Sequence, residues 1–219
     1  MPNLVLYHFP GACSQVCVFA LEETGLPYEL RLVDLQTNQQ AAPDYAAISY
    51  LGKVPALLVD GAVLTENAGI QTFIAELRPE AGLLPADRSP LALARRQAGL
   101  SFCGGTLHPI VRGLANPSRL TEGDVEPVRR KSIALAAKSF GYAERHLSES
   151  GWWLKSWSII DVYLNWTVSV AASSGFDFGA FPALAGLKDR LMERPAFARM
   201  MENETIARAE LAQRRAAVV

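Results

Sequence analysis

The sequence predicts an α/β N-terminal domain of order βαβ-ββα followed by an all-α helical-bundle domain. Three observations carry this. Up to about residue 80, short runs of β-branched and aromatic residues alternate with stretches of helical periodicity. The segment 81–90 then contains Gly82, Pro85 and Pro90, a connector composition. From Leu91 onward no stretch alternates convincingly and helix formers dominate. The expected division is therefore a first domain over 1–80, a linker over 81–90 and a helical domain over 91–219.

Val5, Leu6, Tyr7 and Phe9 give Asn3 to Phe9 the character of a strand, and Pro10-Gly11 ends it. Ser14 is the expected N-cap of a helix to Thr24, with Val16, Phe19, Ala20 and Glu23 on one stripe. Gly25 and Pro27 stop that helix. Tyr28, Leu30 and Leu32 then alternate with Glu29, Arg31 and Val33 as a half-buried second strand, parallel to the first through a right-handed crossover. Gln36 to Asp44 reads as a loop leading into a short helix through Pro43-Asp44-Tyr45-Ala46. Pro55 stands where a third strand begins, and Asp60-Gly61 is a two-residue hairpin turn into Ala62-Val63-Leu64. Thr65-Glu66-Asn67 opens a helix whose Ile70, Phe73, Ile74 and Leu77 share a face.

In the second half, helices are expected over Leu91–Leu107, over Thr121–Leu147 with Thr121 as cap, and after Trp157. Trp157-Ser158-Ile159-Ile160-Asp161-Val162 reads as a capping box with a hydrophobic staple. The helix it starts is apolar nearly all round, as the central helix of a bundle is. Phe181-Pro182 and Arg194-Pro195 open the last two helices, and the tail from Arg208 is expected to fray. Arg95-Arg96 is expected to face solvent.

A net charge of −1, with positive and negative residues interspersed, gives no footprint for nucleic acid or an anionic membrane. No apolar run approaches a bilayer-spanning length, and the N-terminus has no basic segment followed by an apolar core. Three cysteines in 219 residues suit free thiols in a reducing compartment, so the expected location is cytoplasmic.

The chemistry concentrates at Tyr7-His8-Phe9-Pro10-Gly11-Ala12-Cys13-Ser14, where a strand hands over to a helix. Orphan N–H groups and the positive end of the helix dipole favour an anion there, so a thiolate held at this turn ionises more easily. That thiolate belongs either to Cys13 or to a bound small thiol. Cys17, a turn inside the helix, and Cys103 read as packing residues. Tyr7 ranks third behind Cys13 and Ser14 as a thiolate partner, because a tyrosine within a strand is usually core.

Four motifs, Pro10-Gly11-Ala12-Cys13-Ser14, Lys53-Val54-Pro55-Ala56-Leu57, Leu64-Thr65-Glu66-Asn67 and Ser158-Ile159-Ile160-Asp161, occur in one order and spacing. Together they resemble the cytosolic glutathione S-transferase family, most closely its bacterial beta class, over essentially the whole chain. The resemblance implies a thioredoxin-like first domain, a helical second domain forming the pocket for an electrophile, and a homodimer. It implies glutathione as co-substrate, no metal, and addition of the glutathione sulfur to small hydrophobic electrophiles.

By the same resemblance, catalytic roles fall to Cys13, Ser14 and His108, and glutathione contacts to Lys53, Val54, Pro55, Glu66 and Asn67. A cis Pro55 would free the main chain of Val54 to pair with the ligand's cysteinyl backbone. Glu66 would hold the ligand's α-amino group, Asn67 its γ-glutamyl carboxylate and Lys53 a further carboxylate. Two positions depart from the pattern: Asn67 stands for the usual serine, and Pro109 for the lysine that commonly follows the histidine. The alternatives are another glutathione-dependent reaction on this fold (isomerase, dehalogenase, lyase or thiol-disulfide reductase) and a non-catalytic binding protein.

Overall fold

The computed structural model describes residues 1–217. The first elements are β1 (Leu4–His8), α1 (Gln15–Thr24), β2 (Glu29–Leu32), α2 (Pro43–Ala46), β3 (Ala56–Val59), β4 (Ala62–Thr65) and α3 (Asn67–Leu77). They make a four-stranded sheet in the order β2-β1-β3-β4. β1 runs parallel to β2 and antiparallel to β3, and β3 pairs antiparallel with β4. This is the expected βαβ-ββα order, in the thioredoxin-like arrangement that the family resemblance implies.

Local chemistry explains the breaks. Gly25 caps α1 in the left-handed region at φ 63°, the conformation in which glycine alone bears no Cβ penalty. Asp60 and Gly61 both take positive φ, 51° and 87°, as a two-residue hairpin of the primed type requires. Leu6, Val16, Phe19, Leu57, Ile70 and Ile74 are fully buried where α1 and α3 cover the sheet. Val5, Tyr7, Val33, Tyr45, Val54 and Ala56 form a second cluster.

The remaining elements are α4 (Pro90–Ser101), a π-helical turn (Phe102–Leu107), α5 (His108–Ala115), α6 (Glu126–Leu147), α7 (Ile159–Ser173), α8 (Pro182–Ala185), α9 (Leu187–Met192) and α10 (Pro195–Ala216). α7 is buried along its length from Ile159 to Val168, as its all-round apolar sequence demands. The described chain divides into two compact units, Met1–Ala81 with Arg194–Val219, and Gly82–Glu193. α10 therefore packs with the sheet unit, against α1.

Four expectations about the helices change. The helix expected over Leu91–Leu107 continues through the π turn to Ala115. Pro109 has no N–H for the carbonyl four residues back and its ring would strike it, so the chain widens just upstream: the His108 N–H donates to the Cys103 carbonyl, five residues away. Thr121 caps no helix; its hydroxyl accepts from Gly123 N, and α6 starts at Glu126, whose N–H is met by Asp124 Oδ1 at 3.0 Å. Arg95 is exposed, but Arg96 is buried and donates to the carbonyls of Pro85 and Asp87. The segment from Arg208 is helical to Ala216, with Leu211 fully buried. The close approach of α4 to its neighbours needs Gly99, where a Cβ would stand 2.5 Å from Trp153 Nε1 and 2.8 Å from Ile160 Cδ1.

Candidate functional site

The turn between β1 and α1 is shaped by three local bonds: Ala12 N to Phe9 O at 3.0 Å, Gln15 N to Ala12 O at 3.0 Å and Val16 N to Cys13 O at 3.2 Å. Gly11 takes φ 84° within it, and a Cβ there would also meet Arg208 Nη2 at 3.2 Å. Cys13 thus lies just ahead of α1, at the positive end of the helix. It is buried, and its Sγ points at the Val54 carbonyl, 3.6 Å away. The Val54–Pro55 peptide is cis.

The loop that presents Val54 is held from below. The Lys53 carbonyl accepts from Tyr45 Oη at 2.7 Å and Ser49 Oγ at 2.9 Å, while Lys53 N donates to Ser49 Oγ at 3.1 Å. Burial pushes the Tyr45 hydroxyl up to about 12, so it stays a donor at neutral pH. The Lys53 side chain lies on an exposed residue and Pro55 is buried.

Glu66 is exposed and sits at φ 66°, ψ 120°, immediately before α3. A non-glycine residue held at positive φ costs on the order of 1–3 kcal/mol, and such strain is concentrated at sites. Asn67 opens α3 buried, and its Nδ2 donates to the Cys13 carbonyl at 2.7 Å. The unit therefore joins Cys13, Val54 and Asn67 by direct contact, with Lys53, Pro55 and Glu66 as their chain neighbours.

Ser14 behaves differently from the expected cap. Its φ of −61° is already helical and its side chain makes no capping bond. Instead the fully buried Ser14 Oγ is 2.8 Å from His8 Nδ1 and 3.3 Å from Phe9 N. His8 Nε2 stands 3.2 Å from Glu204 Oε1, and Glu204 Oε2 accepts from Gly11 N at 2.7 Å and from Arg208 Nη2 at 3.3 Å. The buried imidazole is thus flanked by the Ser14 hydroxyl at Nδ1 and the Glu204 carboxylate at Nε2, and Ser14 Oγ also reaches the Phe9 carbonyl at 3.4 Å.

His8 and Glu204 were not singled out from the sequence, because Glu204 lies 193 residues beyond Gly11. One signal existed. Phe197, Met200, Ala207 and Leu211 form the buried stripe of α10, and Glu204 stands in the middle of it. A carboxylate on an apolar stripe needs partners.

The other thiols are inert by environment. Burial pushes the Cys17 thiol well up, with the neighbouring Cys13 adding to the effect and a bond from Gln71 opposing it. Burial also raises Cys103, helped by Asp161. Tyr7 is core, and its hydroxyl accepts from Arg31 Nη1 at 3.2 Å. His108 belongs to the second unit. There its Nδ1 is 3.2 Å from Tyr163 Oη and its ring stacks edge-on against Trp166 at 4.6 Å.

A pinned, buried thiol at a helix start, facing the main chain beside a cis-proline, can hold a thiolate next to an extended peptide-like ligand. Among the described residues there is no cluster of three or more His, Cys, Asp or Glu that could hold a metal ion, and no helix long and apolar enough to cross a membrane.

Comparison with known proteins accords with this geometry. Residues 2–76 match the family model of the glutathione S-transferase N-terminal domain. The chain is 30% identical over 194 residues to glutathione S-transferase GST-4.5 of Xanthomonas campestris, covering 85% of this chain and 92% of that one. It is 29% identical over 198 residues to a maleylacetoacetate isomerase of Pseudomonas aeruginosa, covering 88% and 92%. A glutathione transferase homologue from Sulfitobacter, solved with bound glutathione, superimposes with a TM-score of 0.83 at 29% identity, over 93% of this chain and 99% of that one.

Proposed function

We propose that this chain, which belongs to the glutathione S-transferase family, binds glutathione at the Cys13 turn and adds its sulfur to small hydrophobic electrophiles. The observation that carries the reading is the Val54 carbonyl beside the cis Val54–Pro55 bond, 3.6 Å from Cys13 Sγ. An extended tripeptide laid against Val54 would place its own thiol by the start of α1. The Sulfitobacter neighbour, which does hold glutathione, supports the ligand.

In this reading the exposed Glu66 meets the ligand's α-amino group and the start of α3 its γ-glutamyl carboxylate, as helix N-termini favour anions. Lys53 is placed to meet a second carboxylate. The thiol proton leaves to solvent, and the sulfur lone pair forms the new C–S bond as the electrophile's leaving group departs or its double bond takes up a proton. The protein contributes position and a favourable field for the anion. Cys13 adjoins the ligand sulfur, and a mixed disulfide there would form by exchange with oxidised glutathione, the Cys13 thiolate displacing one glutathione thiolate. The family resemblance adds His108 of the helical unit as a further catalytic candidate and implies a homodimer.

A second reading has its own support. The Pseudomonas isomerase matches over 198 residues at 29% identity, against 194 at 30% for the transferase, so a glutathione-dependent isomerisation is the rival on the same site. The two differ in stoichiometry. A transfer consumes one glutathione thiol per turnover, whereas isomerisation returns it. Retention on immobilised glutathione, followed by thiol titration during turnover of chlorodinitrobenzene and of a cis-dienone, separates them. Retention with thiol consumption is the expected result, and turnover at constant thiol titre assigns the isomerase. Absence of retention removes both.

A further inference from the structure

We propose that Asn67 and Gln71 position the Cys13 thiol, and that the Asn67 side chain is not a contact of the bound ligand. Asn67 is only 6% exposed and Gln71 fully buried. The Asn67 Nδ2 donates to the Cys13 carbonyl at 2.7 Å, and its Oδ1 accepts from Gln71 Nε2 at 2.9 Å and from Cys17 Sγ at 3.6 Å. Gln71 Nε2 also lies 3.2 Å from Cys17 Sγ. The amide orientation follows from chemistry: a carbonyl only accepts, so the atom of Asn67 facing Cys13 O must be the nitrogen.

The carboxamide is thus turned inward on both sides. It ties the start of α3 to the turn ahead of α1, two segments that the sheet alone does not hold in contact. A serine hydroxyl at position 67 is one bond shorter and carries a single proton, so it could not span Cys13 O and Gln71 together. The ligand's carboxylate is then left to main-chain N–H groups at the start of α3, and the depth of the Cys13 thiol is set by the Asn67–Gln71 pair. With Cys13 only 7% exposed, loss of the Asn67 bond leaves its carbonyl to Val16 N, at 3.2 Å, loosens the turn and opens the sulfur to reagents.

The first half of the proposal stands without the glutathione reading, while the second half rests on it. The test uses full-length Asn67→Ala, with Asn67→Ser and Gln71→Met in reserve should truncation of the buried amide prevent folding. Dithionitrobenzoate is added in the absence of glutathione, and a Cys13→Ala variant identifies which thiol reacts. Cys13 is expected to react about fivefold faster in the variants, because a loosened turn exposes the buried sulfur. Glutathione affinity by calorimetry is expected to stay within about threefold of the parent, whereas loss of a direct bond to a carboxylate would weaken it by about tenfold or more. A Cys13 rate within twofold of the parent, or slower, overturns the positioning role. A tenfold loss of affinity overturns the claim that Asn67 does not touch the ligand. If the parent protein itself fails to bind glutathione, the functional reading falls and the thiol rates still decide the positioning role.

Discussion

Glu204 shows how a single side chain can hold a site it never enters. It is 1% exposed on an otherwise apolar stripe, where an unpaired carboxylate would be strongly destabilising. Its two oxygens are answered by His8 Nε2 at 3.2 Å and by Gly11 N at 2.7 Å and Arg208 Nη2 at 3.3 Å. Removing it leaves the Gly11 N–H without its acceptor and the buried imidazole without its neighbouring carboxylate, in the turn that carries Cys13. Glu204→Ala should therefore lose about 3 kcal/mol of folding stability. Glu204→Gln, which keeps an acceptor for Gly11 N, should lose less. Urea unfolding measures both; a loss below about 1 kcal/mol for the alanine variant would mean that these bonds are replaced by water.

At the scale of elements, what the sequence disclosed depended on the range of the determining interaction. The capping box at Ser158 was legible because its parts lie three residues apart, and Asp161 Oδ2 indeed accepts from Ser158 N at 2.9 Å and Ser158 Oγ at 3.0 Å. Its third bond, from Trp153 N to Oδ1 at 2.8 Å, was not, since nothing local marks it. α6 starts at Glu126 rather than after Thr121 because Pro127 suits a first turn, a signal that outcompetes the cap pattern at Thr121. Asp161 carries a consequence for pH. Burial outweighs its three bonds and pushes its pKa up to about 6. An acid whose folded pKa is raised favours the folded state when protonated, so its contribution is fully present below pH about 4 and is lost as pH rises through about 6. Relative to Asp161→Asn, which cannot titrate, the parent protein should lose on the order of 2–3 kcal/mol between these limits and nothing further above them. Urea unfolding at four pH values from 4.5 to 7.5 tests this, and a stability difference independent of pH would show that the carboxylate is ionised throughout.

For the molecule as a whole, the sequence disclosed the βαβ-ββα order and the helical region because hydrophobic periodicity is a local property. It disclosed the Cys13 turn for the same reason, as strand end, Pro-Gly and helix start follow one another. It did not disclose what holds that turn. Glu204 meets His8 and Gly11, and Asn67 meets Cys13, across separations that periodicity does not encode, and the placement of α10 decides the first of these. That helix joins the sheet unit through a stripe ending in Leu211, which is fully buried with Ala207 and Leu32, against Phe9 and Leu30. Charged bonds flank it: Arg194 to Glu23, Arg199 Nε to Glu22 Oε2 at 2.9 Å and Arg215 Nε to Asp34 Oδ2 at 3.4 Å. The arginines of these pairs reach solvent although their carboxylates are largely covered, so each pair contributes modestly and the apolar contact should dominate. Leu211→Ala is accordingly expected to cost about 2–4 kcal/mol, far more than Arg199→Ala at about 0.5 kcal/mol. Leu32 lies on β2 and pairs with His8 in the sheet register, so the loss should be felt at the Cys13 turn. Amide hydrogen exchange reads it directly: β1 and β2 should lose protection in the leucine variant and keep it in the arginine variant. Equal protection in both would show that α10 is held by its charges instead.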